Sequence, residues 1–185
     1  VTISKNKAPR LSKKKITLQG PITFNKDRPT EQVHVRIGYE GVSRKSKDKY
    51  AYALLSHILG GGMSSRLFNR LREKMGVSYY VGSYHSAMIQ AGKFGIYAGV
   101  SGTRVQEALH AIEEECSLLT KELVPVHEFK KVTEMLSAGL IMNLETSSAV
   151  AEYASTAPLF EEETLSPNEL MKRINKVTPE DIKRV

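Results

Sequence analysis

Arg72 and Tyr79 are the residues of this 185-residue chain whose types and spacing could do chemistry together. They lie in the stretch LGGGMSSRLFNRLREKMGVSYY, Leu59 to Tyr80. A guanidinium at the end of a helix and a phenol at the start of a strand can aim hydrogen-bond donors into one small space. Neither is a nucleophile here. Both can bind a peptide carbonyl and stabilise the negative charge that develops on it when hydroxide adds. A solvated helix arginine and a half-buried strand tyrosine are the structural alternative, and spacing by itself leaves both readings open.

The elements that would bring the pair together can be read locally. Gly60, Gly61 and Gly62 free the backbone for a close turn, and Ser64 or Ser65 is placed to cap the helix that follows. Leu67, Phe68 and Leu71 fall on one face of that helix, with Arg66, Arg70, Arg72, Glu73 and Lys74 on the others. Gly76 stands where a helix C-terminal glycine belongs. The β-branched and aromatic run Val77 to Val81 then predicts a strand, so the chain reverses between Arg72 and Tyr79.

This stretch, extended to LGGGMSSRLFNRLREKMGVSYYV, resembles the second half-domain of the pitrilysin/insulinase (inverzincin) zinc metallopeptidases, and the small bacterial processing-peptidase-like members in particular. The resemblance continues through EQVHVRIGYEG, GKFGIYAGV, TRVQEALHAIEEE and VTPEDIKRV, and so covers most of the chain from about Glu31 onward. It implies an α+β half-domain in two layers, with helices on one face of a largely antiparallel mixed sheet. It implies that Arg72 and Tyr79 reach across to the active site of a zinc-bearing half, hold the substrate backbone and stabilise the tetrahedral oxyanion. Zinc would then be bound by another domain or subunit, the substrates would be short or unfolded peptides, and the complete protein would be a dimer, placed in the cytoplasm. A catalytically silent partner or scaffold subunit of the same family is the other reading. The short GGGM turn, together with the presence of both Arg72 and Tyr79, favours the peptidase.

The family's zinc site needs H-x-x-E-H on a helix, two imidazoles one turn apart with a glutamate as general base. This chain has no such motif. Its five histidines, His34, His57, His85, His110 and His127, are scattered. His110-Ala111-Ile112-Glu113-Glu114 comes nearest, but Glu114 stands where the second histidine would be, and the segment reads as a helix exterior. No residue of the chain is assigned to metal or cofactor binding, and the fragment alone is expected to be inactive.

Around this unit the pattern is that of one domain. Residues 1–30 read as a basic lead or linker with a short edge strand at Ile16–Leu18, and residues 31–185 as the half-domain. Val33, Val35, Ile37 and Tyr39 alternate with polar residues, the mark of a strand with one buried face. Asp48 opens a helix with the stripe Tyr50, Leu54, Leu55 and Ile58. Strands over Ser78–Met88 and Lys93–Val100 are joined through Gln90-Ala91-Gly92 as a hairpin. Helices follow: one behind a Thr103–Gln106 capping box, one after Pro125, one over about 148–159, and two started by Ser166-Pro167 and Thr178-Pro179. The chain begins with Val and a lysine-rich lead, and reads as the later part of a longer polypeptide.

Composition excludes other classes. The formal net charge of +7 is local: 13 Lys and Arg oppose four Asp and Glu in the first fifty residues, and the remainder is slightly acidic. With no RNA- or DNA-binding signature beside it, that surplus is a solvated linker and loop rather than a nucleic-acid face. No apolar run approaches the ~20 residues of a membrane span. The single cysteine, Cys116, reads as a half-buried thiol with no histidine to activate it.

Overall fold

The computed structural model describes residues 20–160 and 163–185. The edge strand expected at Ile16–Leu18 falls outside them. Residues 20–30 are exposed and without regular structure.

Three strands form one sheet in the order β1-β3-β2: β1 is Val33–Gly41, β2 is Ser78–Ala87 and β3 is Gly92–Val100. Both pairings are antiparallel, so the described sheet is antiparallel throughout rather than mixed. The β2–β3 hairpin closes as expected, with Met88 N–H donating to Ala91 O at 2.8 Å. Central position explains why β3 is buried almost continuously, whereas on the edge strand β1 only Val35 and Ile37 of the expected inward face are partly buried and Val33 and Tyr39 are exposed.

One face of the sheet is covered by α1, Lys49–Gly60, which crosses behind it between β1 and β2. The core gathers Leu54, Ile58 and Leu59 of α1 with Phe94, Ile96, Ala98 and Val100 of β3. The helix α2, Val105–Lys121, adds Ala108, Ala111, Ile112 and Leu119. Beyond it come α3 (Val126–Met142), α4 (Ser147–Leu159), α5 (Pro167–Ile174) and α6 (Pro179–Arg184). Gly60 is the tightest point of this layer. A Cβ there would stand within 3 Å of the Ser83 N and the Gly82 carbonyl carbon, and Ser83 Oγ donates to Ser56 O at 2.7 Å.

The helix starts divide by what their side chains are needed for. Ser166 and Thr178 form complete capping boxes with Glu169 and Asp181. The box expected at Thr103–Gln106 does not form. Gly102–Arg104 is a 3-10 turn, the extended residue is Ser101 two positions earlier, and Arg104 forks onto Glu107 while also donating to Met75 O at 3.1 Å. Asp48 precedes α1 but makes no side-chain cap. Its carboxylate takes Arg184 at 2.7 Å, which pins α6 beside α1, and Ile182 is buried next to it.

That clasp has a pH dependence. Hydrogen bonding to Arg184 is the main cause holding Asp48 below the ordinary carboxylate range, and Asp181 is lowered by the same guanidinium and by the Thr178 N–H. Lowered carboxyl values mean stability fully present above the unfolded carboxylate pKa of about 4 and lost as pH falls through the folded values. Amide exchange at Ile182 is therefore expected to speed up below about pH 4 before that of β3 does, and modestly, because the pair is partly exposed.

Candidate functional site

The stretch between α1 and β2 is less regular than its sequence suggests. In place of an α-helix, Phe68–Lys74 is a π-helix, with Met75 N–H donating to Arg70 O at 3.0 Å and Val77 N–H to Leu71 O at 2.8 Å. Leu67 and Leu71 are buried as expected, whereas Phe68 is only partly so. Ser65 does not cap: its hydroxyl donates back to Gly62 O at 2.6 Å. Gly76 adopts φ +61°, the left-handed stop the sequence called for.

The arginines of this segment have different fates. Arg66 forms a two-pronged bond with Glu128, at 2.9 and 2.8 Å, and Arg70 reaches both Glu114 and Glu115. Those hydrogen bonds raise the pKa of each guanidinium. Arg72 has no carboxylate partner among the described residues. Its guanidinium lies over the Phe68 ring, 5.1 Å from the centroid, on the exposed side of the turn.

Tyr79 sits at a break in the ladder. Ser78 pairs with Val100 and Tyr80 with Gly99, so Tyr79 is the extra residue of a β-bulge. Alternation fails there: Ser78 is buried, and Tyr79 and Tyr80 are both exposed, Tyr79 by 57%. No hydrogen bond or ion pair joins Arg72 to Tyr79 among the described residues; each is presented to solvent separately. A π-turn and a bulge, both devices that re-aim side chains and are frequent at functional sites, thus bracket the two residues.

A second feature was not read from the sequence. On the sheet face away from α1, Tyr80, Gly82 and Tyr84 of β2 stand opposite Gly99, Tyr97 and Gly95 of β3. Every tyrosine ring covers a glycine across the ladder, so that a Cβ on any of the three glycines would meet ring atoms within 3 Å. Tyr80–Tyr97 and Tyr84–Tyr97 centroids are 6.2 and 6.3 Å apart, and His34 Nδ1 is hydrogen bonded to the Tyr80 hydroxyl at 2.6 Å. The signal was present as the complementary spacings Tyr80-x-Gly82-x-Tyr84 and Gly95-x-Tyr97-x-Gly99.

The sequence of residues 2–136 matches the family described as the peptidase M16 inactive domain. The chain belongs to that family. Over 178 residues it is 33% identical to an uncharacterized zinc protease of Streptomyces coelicolor, covering 96% of this chain and 39% of that protein. The fold is shared with a protease from Helicobacter pylori, at TM-score 0.78 and 24% identity over 85% of this chain and 38% of that one. It is shared as well with a peptidase M16 inactive domain from Pseudomonas fluorescens, at TM-score 0.77 and 21% identity, with 85% and 38% covered. The chain thus spans about two fifths of the length of the zinc-protease relative it matches.

Among the described residues no group of three His, Cys, Asp or Glu side chains is placed to hold a metal ion. His110 Nε2 meets Glu114 at 3.1 Å on the exposed side of α2, a helix exterior. His85 packs against Tyr52 with ring centroids 4.8 Å apart and planes tilted by 31°, and burial lowers its pKa. Cys116 is half-buried in a cavity of about 340 Å³ that Tyr39 and Leu119 also line, and burial raises the pKa of its thiol. That is the environment of an inert cysteine. No helix among the described residues is long and apolar enough to cross a membrane.

Proposed function

We propose that this chain is the non-zinc-binding half of a zinc metalloendopeptidase, and that it completes the active site by holding the substrate backbone. One observation carries the reading. Arg72 and Tyr79 are exposed and uncommitted where their neighbours are not: Arg66 and Arg70 are spent on glutamates, Tyr80 on His34, while a π-turn and a bulge project the other two.

The described residues do not fit a zinc site, so zinc belongs to another domain or subunit, where it would supply the activated water. The work of this chain is then done by two donors. Tyr79 O–H and the Arg72 fork would hydrogen-bond the substrate carbonyls and gain strength as charge grows on the oxygen under attack. Short or unfolded peptides suit donors that read backbone rather than side chains.

The test is hydrolysis of an unstructured peptide by the complete protein before zinc chelation, after it, and after zinc is restored, beside the 185-residue chain alone. Activity that is lost and regained in the complete protein, with none in the isolated domain, is the expected result. A complete protein that binds zinc stoichiometrically yet cleaves nothing would move the assignment to the silent scaffold reading.

A further inference from the structure

We propose that Arg104 is a positioning residue of the peptidase site, acting on the turn that sets Arg72 and Tyr79 relative to each other. The inference rests on the proposed function and adds a residue to its machinery, one that works without touching substrate itself.

Three arginines tie this part of the chain to the helices beside it. Arg66 binds Glu128 of α3, and Arg70 binds Glu114 and Glu115 of α2, so both anchor the chain ahead of Arg72. Of the three, Arg104 is the one whose bond lands between Arg72 and Tyr79, where its Nη1–H donates to Met75 O at 3.1 Å. Glu107 fixes the aim of that donor. Its carboxylate takes Arg104 Nε–H at 2.7 Å and Nη2–H at 2.6 Å, and because a guanidinium is planar, two bonds along one edge set the direction of the third nitrogen.

Met75 O is a sensitive point at which to hold the chain. It belongs to the peptide plane that joins Met75 to Gly76, and glycine accepts φ of either sign, so this plane can turn over unless something grips it. Gly76 stands at φ +61°. The bonds from Met75 N–H to Arg70 O and from Val77 N–H to Leu71 O close the turn around that plane, but neither touches its carbonyl. Release of Met75 O would leave the direction in which the chain leaves the π-turn for Tyr79 poorly fixed.

The other end of the turn is held by the same stretch of chain. Val100 pairs with Ser78 and Gly99 with Tyr80, the pairings that extrude Tyr79, and Arg104 follows Val100 by four residues across the Gly102–Arg104 turn. Residues 99–104 therefore grip the chain on both sides of Gly76 and give Arg72 and Tyr79 a common frame. Two donors aimed at one oxygen need such a frame, since a misplacement of about 1 Å caused far from the chemistry can cost roughly a hundredfold in rate.

The experiment measures kcat and KM of the complete protein on an unstructured peptide for Arg104→Met, which keeps an unbranched side chain and removes every donor, in the native and Tyr79→Phe backgrounds. Arg104→Met is expected to lower kcat about ten- to a hundredfold with KM changed less than about threefold, because the displaced donors act on charge present only in the transition state. In the Tyr79→Phe background the same change should cost at least about threefold less, since part of what it displaces is already gone. Zinc content should be unchanged and the melting temperature should fall only slightly, as the Arg104–Glu107 pair is exposed. Undiminished turnover in Arg104→Met overturns the proposal, and so does an equal loss in the two backgrounds, which is what a role in folding alone would produce. If the native protein cleaves no peptide, the peptidase reading fails separately. Amide exchange of the complete protein then decides whether Arg104 sets the turn: faster exchange over residues 75–80 in Arg104→Met, with β3 unchanged, sustains it, and unchanged exchange overturns it.

Discussion

Tyr79→Phe in the complete protein is expected to lower peptide turnover about a hundred- to a thousandfold, with Arg72→Ala close behind. Loss of one preorganised donor to a developing oxyanion typically removes ~2.7–4 kcal/mol of transition-state stabilisation. Tyr79→Phe is the cleaner change, since it keeps the ring on the bulge and deletes only the hydroxyl. Its side chain is 57% exposed, so neither packing nor register depends on it. Arg72→Ala gives up one contact with the Phe68 ring, worth ~0.5–1 kcal/mol at an exposed site, so melting should hardly move. Arg72→Lys should rescue poorly, because an ammonium cannot span two oxygens as the guanidinium fork does. Measured zinc content should be unchanged in all three. Full activity in both Tyr79→Phe and Arg72→Ala would make the pair structural and withdraw the site assignment.

How far this site could be read from the sequence depends on whether the decisive constraint was local. The Gly76 stop, the strand β1 and the boxes at Ser166 and Thr178 were legible because each is settled within a few residues. The bulge was not. Tyr79 is extruded because Ser78 and Tyr80 are held to consecutive partners on β3, and nothing in SYYV announces it. The π-turn was hidden for a similar reason. Leu67 and Leu71 keep helical spacing and bury as a helix would, while the extra width lies in the backbone bonds, among them those closing on Arg70 and Leu71. Thr103 failed as a cap because Arg104 is held by Glu107 and by the distant Met75 carbonyl, a tertiary tie that outweighs a motif. The tyrosine–glycine ladder lies between these cases. Both spacings are visible, but their meaning requires the β2–β3 register, which sets Tyr97 on Gly82. The π-turn at Arg72 and the bulge at Tyr79 are departures from local rules of a kind frequent at functional sites.

The second large effect concerns two glycines of opposite sign. Gly60→Ala is expected to destabilise the domain by about 3 kcal/mol, the upper end of overpacking costs, because the new methyl would press on the backbone of Ser83 and Gly82. Backbone in the sheet cannot rotate aside as a flexible side chain can, so α1 itself must lift. The Ser83 Oγ bond to Ser56 O would lengthen with it, and the hydrophobic contacts of Leu59 with the sheet would loosen. For a domain of this size that corresponds to a fall of roughly 6–12 °C in Tm. Gly139→Ala should do the reverse. It lies in α3, has ordinary helical backbone and nothing within 4 Å of the added Cβ, so the substitution removes unfolded-state freedom at no steric cost. A gain of ~0.5–1 kcal/mol, about 2 °C or a little more, is expected. Thermal melts of the two variants beside the native domain decide the matter. A Gly60→Ala variant that melts with the native protein would mean that α1 does not bear on β2 as closely as the Gly60 contact with Gly82 and Ser83 implies.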